Sequence, residues 1–212
     1  MDAIVFAAPC AIAVFGLLYG EAKDNAPIRR FAKPAASLAF ICVGLAAGAL
    51  GSAFGQAILA GLVLCALGDV LLIPRSPKSF LGGMAAFAAG HGAYIAAFLI
   101  GGVALTPTVL AATVAAALFA GGMVFWLRRD LKDFALPVIG YSIIISLMVA
   151  ASVAHWAAGP SPESARLAMA AAAFAVSDVA VARDQFRKRE FVNRLWGLPL
   201  YYAAQCLFAL NV

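Results

Sequence analysis

Residues Gly55–Ile73 read GQAILAGLVLCALGDVLLI, nineteen positions with no basic residue and a single acid, Asp69. As an α-helix at 1.5 Å per residue this stretch is about 28 Å long. That is close to the ~30 Å hydrocarbon core of a bilayer. An aspartate inside such a helix costs about 2.5–3.5 kcal/mol on insertion scales. Such a group is normally retained for a task and faces a partner or a water-filled cavity rather than lipid. A second stretch, residues 164–182, reads SARLAMAAAAFAVSDVAVA and holds Asp178 in similar surroundings. The other acids fall at the chain start or in short polar breaks between apolar runs. Two buried carboxylates point to carboxylate chemistry within a membrane protein.

The whole chain supports that reading. Of its 212 residues 65% are hydrophobic and 12% charged, about half the charge of an ordinary soluble domain. Its mean hydropathy is +0.97. Apolar runs between charged or Pro/Gly breaks give eight expected spans: 3–20, 34–51, 55–73, 80–100, 106–127, 135–158, 164–182 and 195–211. The fold class is therefore all-α, a polytopic membrane protein forming one integral-membrane domain over residues 1–212, with no room for a separate soluble domain. The first run has only Asp2 before it and Glu-Lys-Asp after it. It lacks the basic n-region of a signal peptide and is expected to stay as a first helix. Cys10, Cys42, Cys65 and Cys206 each lie in an apolar run, where reduced packing residues are expected rather than disulfides.

Basic residues set the orientation. Lys23, Arg29, Arg30 and Lys33 lie before or at the start of span 2, and Arg75 and Lys78 between spans 3 and 4. Arg128, Arg129 and Lys132 follow span 5, and Arg183, Arg187, Lys188, Arg189 and Arg194 follow span 7, whereas the even-numbered loops hold only Arg166. The bias places odd loops in the cytoplasm and both termini on the non-cytoplasmic side. It also accounts for the net charge of +5, because basic loops suit an anionic leaflet. Nucleic-acid binding is excluded, since it needs a basic folded face. Spans 3 and 7 then run in the same direction, with Asp69 and Asp178 each four residues before the expected helix end. Both carboxylates are expected about 6 Å from the cytoplasmic end, in one layer. Gly68-Asp69-Val70 and Ser177-Asp178-Val179, with Pro34 and Pro137 opening the second helix of each half, faintly echo a parallel duplication.

Further polar groups share the cytoplasmic half. Lys33 opens span 2, Tyr141 enters span 6, and Tyr201, Tyr202 and Gln205 enter span 8. His91 and Tyr94 share a face of span 4 at i and i+3, deeper than the aspartates. Each has a plainer role open to it. Tyr201 and Trp196 suit interfacial anchoring, His91 an interhelical hydrogen bond, Lys33 a snorkelling position, and His155 the outer interface. Gly44-x-x-x-Gly48 and Gly51 suit close helix packing. Ser177 points about 100° away from Asp178 on a helix and is no obvious partner for it. No GxSxG elbow or Walker loop occurs, and two histidines at opposite depths do not make a zinc site.

The motifs together resemble a family. Lys33-Pro34, Gly68-Asp69-Val70-Leu71-Leu72, Phe80-x-x-Gly83 and Phe87-x-x-Gly90-His91-x-x-Tyr94 come first. Pro137-Val138-x-x-Tyr141, Phe174-x-x-Ser177-Asp178 with Phe186, and Tyr201-Tyr202-x-x-Gln205 follow. In that order, over most of the chain, they resemble the lysoplasmalogenase family of eight-helix membrane proteins, the YhhN-like group. The resemblance implies a hydrolase that cleaves the vinyl ether of a lysoplasmalogen to a fatty aldehyde and a glycerophospho-alcohol. It implies Asp69 and Asp178 as catalytic acids, with Lys33, His91, Tyr94, Tyr141, Ser177, Tyr202 and Gln205 as substrate-binding residues. Vinyl ethers hydrolyse by protonation at carbon, so a positioned acid and a nearby negative charge are required, and no metal or other cofactor. Two carboxylates in one low-dielectric pocket do not readily both ionise, so one is expected to hold a proton while the other activates water. The expected partners are a lysophospholipid and the bilayer, and the expected location is a bacterial inner membrane. Hydrolysis of another ether or ester lysolipid, or proton-coupled transport of a lipid or small molecule, remain the alternatives.

Overall fold

The computed structural model describes residue 5 and residues 7–212, and over these the chain folds into eight α-helices with no strand. They are α1 (Ala7–Ala22), α2 (Ala26–Ala46), α3 (Ala53–Leu71), α4 (Pro77–Ile100), α5 (Pro107–Leu127), α6 (Ala135–Ala158), α7 (Pro162–Phe186) and α8 (Phe191–Leu210). Part of the first expected span, residues 3, 4 and 6, lies outside the described residues. Among the described residues five helices are long and apolar enough to cross a membrane: α3, α4, α5, α6 with its preceding turn, and α7. The chain is an integral membrane protein of helical type. Helix α1 is apolar but shorter, at 16 residues.

The helix starts follow from local chemistry. Asn25, Ser76, Thr106 and Ser161 each accept the backbone N–H three residues on, and a proline stands in the first turn behind each of them. The side-chain oxygen satisfies an orphan N–H, and proline, which has none, costs nothing there. This cap explains one departure from the sequence expectation. Pro34 does not open the second span, because α2 already begins at Ala26 and carries Pro34 in its interior. Arg29, Arg30 and Lys33 depress the hydropathy of its first turns without breaking the helix.

Asp69 is positioned by the α3–α4 hairpin, whose helices approach closely through glycines spaced seven apart. Gly61 faces the Tyr94 ring, Gly68 the Phe87 ring, Gly83 the Leu72 side chain and Gly90 the Cys65 sulfur. A Cβ at Gly68 would lie 2.8 Å from the Phe87 ring, so α3 and α4 interdigitate large side chain into absent one. Such contacts hold helices together in lipid, where burial of apolar area gives no drive. Of the glycines expected to pack, only Gly44 faces a neighbour closely: a Cβ there would lie 3.1 Å from the Leu62 side chain. Gly48 takes φ +94 in the turn before α3, and neither it nor Gly51 faces another helix. Cys10 and Cys65 are buried and Cys206 is half-buried, but Cys42 is exposed on the outer surface of α2.

Ion pairs gather the loops after α1, α3, α5 and α7 at one end. Glu21 binds Arg75 at 2.8 Å and Arg194 at 3.1 Å, and Asp130 binds Arg187 at 2.9 Å. At that end α7 runs on to Phe186, because Arg183, Asp184 and Gln185 continue the helix although they are not apolar. Asp178 is thus eight residues from the end of its helix and Asp69 two from the end of α3, about 12 Å and about 3 Å. The equal spacing of the two aspartates from their helix ends is not observed, since the apolar pattern stops about one turn before α7 does and α3 ends at Leu71.

Candidate active site

A cavity of about 700 Å³ enters the bundle from the ion-paired end. Glu21, Arg29, Arg30, Arg75, Arg189 and Arg194 surround its entrance, and both Asp69 and Asp178 line its interior. Lys33, Tyr141, Ser177 and Tyr201 also reach its wall. The volume is in the range that takes one small-molecule-sized ligand, about 300–1,000 Å³.

Asp69 is almost fully enclosed, with 3% of its side chain exposed. Lys33 Nζ lies 3.2 Å from Oδ1. Ser37, one helical turn after Lys33 on α2, donates to Oδ2 at 2.7 Å, and Tyr201 of α8 donates to the same oxygen at 2.8 Å. Behind Tyr201, Gln205 Nε2 donates to its hydroxyl at 3.2 Å, and Tyr94 donates to Gln205 Oε1 at 2.6 Å. Every acceptor on this carboxylate is thereby served, and the path ends in a tyrosine deep in α4. An ion pair with two further donors on it is the arrangement that makes burial of a carboxylate tolerable.

Asp178 is built differently. Tyr141 of α6 donates to Oδ2 at 2.6 Å, and no cation forms an ion pair with it among the described residues. His91 Nε2 lies 3.0 Å from the Tyr141 hydroxyl. Since that hydroxyl gives its proton to Asp178, it accepts one from His91, which fixes Nε2 as the protonated nitrogen. Nδ1 is then an acceptor, buried and without a partner among the described residues. The Phe174 ring stands between the two networks, 4.6 Å from His91 on one side and 5.2 Å from Tyr201 on the other, in edge contact with both. The two carboxylates share a cavity but not a hydrogen-bond chain.

Of the residues singled out from the sequence, Lys33, Asp69, Tyr141, Ser177 and Asp178 meet at the cavity wall. The Ser177 hydroxyl donates to the Phe174 carbonyl at 2.7 Å, so it is spent on its own helix. His91, Tyr94 and Gln205 stand behind the wall, reaching the cavity through Tyr141 and Tyr201. Tyr202 lies off it too, donating to the Lys33 carbonyl at 3.4 Å and tilted against Phe40. His155, expected at the outer interface, is half-buried between Phe54 and Phe98, with Nδ1 2.9 Å from the Gly102 carbonyl. Sequence reasoning missed Ser37 and left Tyr201 open between the polar set of the cytoplasmic half and an interfacial anchor. Spacing held a signal for both, Ser37 at i+4 from Lys33 and Tyr201 at i−4 from Gln205, one helical face in each case. Among the described residues no three His, Cys, Asp or Glu side chains converge as metal ligands. The donor set suits proton transfer and the holding of an anion.

Comparison with known proteins places the chain. A family model described as the YhhN family matches residues 28–212. The chain is 34% identical over 158 residues to lysoplasmalogenase TMEM86B of Sus scrofa, covering 74% of this chain and 64% of that protein. It is 33% identical over 159 residues to lysoplasmalogenase TMEM86B of Homo sapiens, again 74% and 64%. It thus spans just under two thirds of the length of these relatives. No solved structure matches it. With its family match running from the first turn of α2 to the last residue given, the chain belongs to the YhhN family.

Proposed function

We propose that this protein is a membrane hydrolase that cleaves the vinyl ether of a lysoplasmalogen, with Asp178 as proton donor and Asp69 as the charged partner. The observation that carries the assignment is the unequal environment of two carboxylates on one cavity. Asp69 is ion-paired with Lys33 and holds two more donors, whereas Asp178 meets only the Tyr141 hydroxyl. A carboxyl without a neighbouring cation is the one suited to carry and give a proton. The relatives named lysoplasmalogenase support the substrate class.

In this reading Asp178 gives its proton to the vinyl carbon distal to the ether oxygen, and the π electrons leave an oxocarbenium ion. The Asp178 carboxylate so formed, with Asp69 across the cavity, steadies that cation. Water adds to the cationic carbon and loses a proton to a carboxylate, giving a hemiacetal. Collapse of the hemiacetal breaks the carbon–oxygen bond to glycerol, passes the hydroxyl proton to the departing oxygen and releases the aldehyde. One water is consumed and the donor is reprotonated. Lys33 is engaged by Asp69, so the phosphate falls to entrance arginines such as Arg30, which forms no ion pair among the described residues. Arg guanidinium suits that task through its fixed fork of donors.

We further propose that all eight helices sit in the membrane, with odd loops cytoplasmic and both termini on the other side. The basic bias of those loops and their meeting at one end through Glu21 and Asp130 support this orientation. The substrate would then enter from the cytoplasmic leaflet, and the alanine-rich composition favours a bacterial inner membrane.

The test is aldehyde release from 1-alkenyl lysophosphatidylethanolamine by the purified protein in detergent, beside Asp69→Asn and Asp178→Asn. Release by the wild type and loss of at least about a hundredfold in Asp178→Asn is the expected result. Full turnover in both variants overturns the mechanism. Uptake of intact lipid into liposomes driven by a pH gradient, with no aldehyde, identifies a carrier instead.

A further inference from the structure

The cavity does not stop at the carboxylates. It continues as a cleft walled by α5 and α7 with α6 as its floor, and its far lining is almost wholly apolar. Ala112, Ala116 and Phe119 of α5, Val149 of α6 and Ala172 and Val176 of α7 form it. Helix α5 makes the cleft possible. It packs chiefly on α6, and its only buried residues are Val109 and Leu127, one near each end. Between those two anchor points it stands away from α7. A helix bundle packed throughout would close this gap, because interiors are filled close to crystal density.

We infer that the cleft between α5 and α7 is the seat of one unbranched alkyl chain of a single-chain lipid, and that Ala112 and Ala116 set its preferred length. The inference rests on the proposed function for the position of the headgroup, and it commits to a lysolipid as occupant. Charge and continuity choose that occupant. One end of the same cavity carries the arginines and Lys33, the other mostly apolar side chains, interrupted by Ser142 and by Ser146, whose hydroxyl donates to the Ser142 carbonyl. A ligand filling both ends has an anionic head and a long apolar tail.

Length agrees as well. The Ser146 hydroxyl lies 3.3 Å from the Ala116 carbonyl, which sets those two residues level on α6 and α5. Tyr141, the contact of Asp178, is five residues below Ser146, and Ala112 is four residues beyond Ala116. Nine residues at 1.5 Å give about 14 Å of cleft beyond the level of Tyr141. Half a hydrocarbon core, the reach of one leaflet's chains, is about 15 Å. The cleft thus takes roughly one membrane chain, and a side chain larger than alanine at its end would shorten it.

The experiment uses a non-cleavable 1-alkyl lysophosphatidylethanolamine with a diazirine at the chain terminus, photolysed on the full-length protein in detergent and mapped by mass spectrometry. Label on the cleft face of α5, at Ala112 or Ala116, or on Val149 of α6 is the expected result. Label confined to the outward face of α5, at Leu110 and Leu118, overturns the proposal. In parallel, Ala112→Phe and Ala116→Phe are assayed on a series of chain lengths, with the exposed Leu118→Phe as control. Turnover of the longest chains relative to the shortest should fall at least about tenfold, within the range a single methylene commands in an apolar pocket. Unchanged length preference in both alanine variants, with the control also unchanged, refutes the ruler. Should the wild type release no aldehyde, the functional reading falls, while the labelling arm still decides whether the cleft holds a chain.

Discussion

Removing the Lys33 ammonium tests the ion pair on which the role of Asp69 depends. At 3.2 Å, two unit charges attract by roughly 5 kcal/mol at an effective dielectric near 20. Loss of one partner of a buried pair costs about 3–5 kcal/mol, because the other charge stays behind. That figure is too large here. Lys33 keeps 15% of its side chain exposed and lines the cavity, so water reaches the pair. Ser37 and Tyr201 also continue to serve the carboxylate. Lys33→Met should therefore destabilise the fold by about 2–4 kcal/mol. Asp69→Asn alone strands an ammonium that can turn toward the cavity water, at a smaller cost of about 1–2 kcal/mol. The double variant strands no charge, and it should be more stable than the sum of the single losses by about 1.5–3 kcal/mol. Reversible unfolding in mixed detergent and SDS measures all four corners of the cycle. Additivity within about 0.5 kcal/mol would refute the coupling, and with it the assignment of Asp69 as the paired carboxylate.

Other expectations follow from single contacts. Tyr141→Phe removes the hydroxyl that donates to Asp178 and accepts from His91. A hydrogen bond to a charged group is worth about 1.5–3 kcal/mol, so kcat should fall roughly 10- to 100-fold; steady-state kinetics check it, and a raised KM with unchanged kcat would show a binding role instead. Gly68→Ala puts a Cβ 2.8 Å from the Phe87 ring, and overpacking of this kind costs about 1–3 kcal/mol, read as a lowered unfolding midpoint. At the loop end, a hydrogen bond from Lys188 holds Glu190 below the usual carboxylate range, and one from Arg29 does the same to Asp24. Carboxyls depressed in the folded state stabilise it above their unfolded values and lose that contribution as pH falls through their folded ones. Amide protection factors in the α1–α2 and α7–α8 loops, corrected for the intrinsic pH dependence of exchange, should therefore hold steady down to about pH 5 and fall toward about pH 3.

The helices were legible in the sequence because lipid imposes a simple rule. Any span must satisfy its own backbone, and helices are the open-ended way to do so. The observed ends of α6 coincide with the expected 135–158, since a charged turn and a glycine bracket it. Where the expectation failed, at Pro34 and at the end of α7, charged residues continued a helix that hydropathy alone would have stopped. Asp69 and Asp178 stood out through their cost in an apolar run. What they bind was not legible, because partners come from other helices at separations such as 132 residues between Tyr201 and Asp69. Tyr201 illustrates the limit. In an expected span opening at 195 it suits the interface, but α8 opens at Phe191, which puts Tyr201 mid-helix and turned inward.

The partition by Phe174 bears on how two carboxylates can do different work in one small space. Had Asp69 and Asp178 been hydrogen-bonded to each other, they would share one proton and titrate as a pair. Instead each is wired to its own tyrosine. Asp69 leads through Tyr201 and Gln205 to Tyr94, and Asp178 leads through Tyr141 to His91. The ring between them is in edge contact with both networks and offers no polar group to either. Each carboxylate therefore answers to its own surroundings, a lysine for one and a hydroxyl for the other. That separation is what a reaction needs when it must first give a proton to carbon and then draw one from water. It also locates the tunable element behind the cavity wall, in the buried partners of the two tyrosines rather than in the carboxylates themselves.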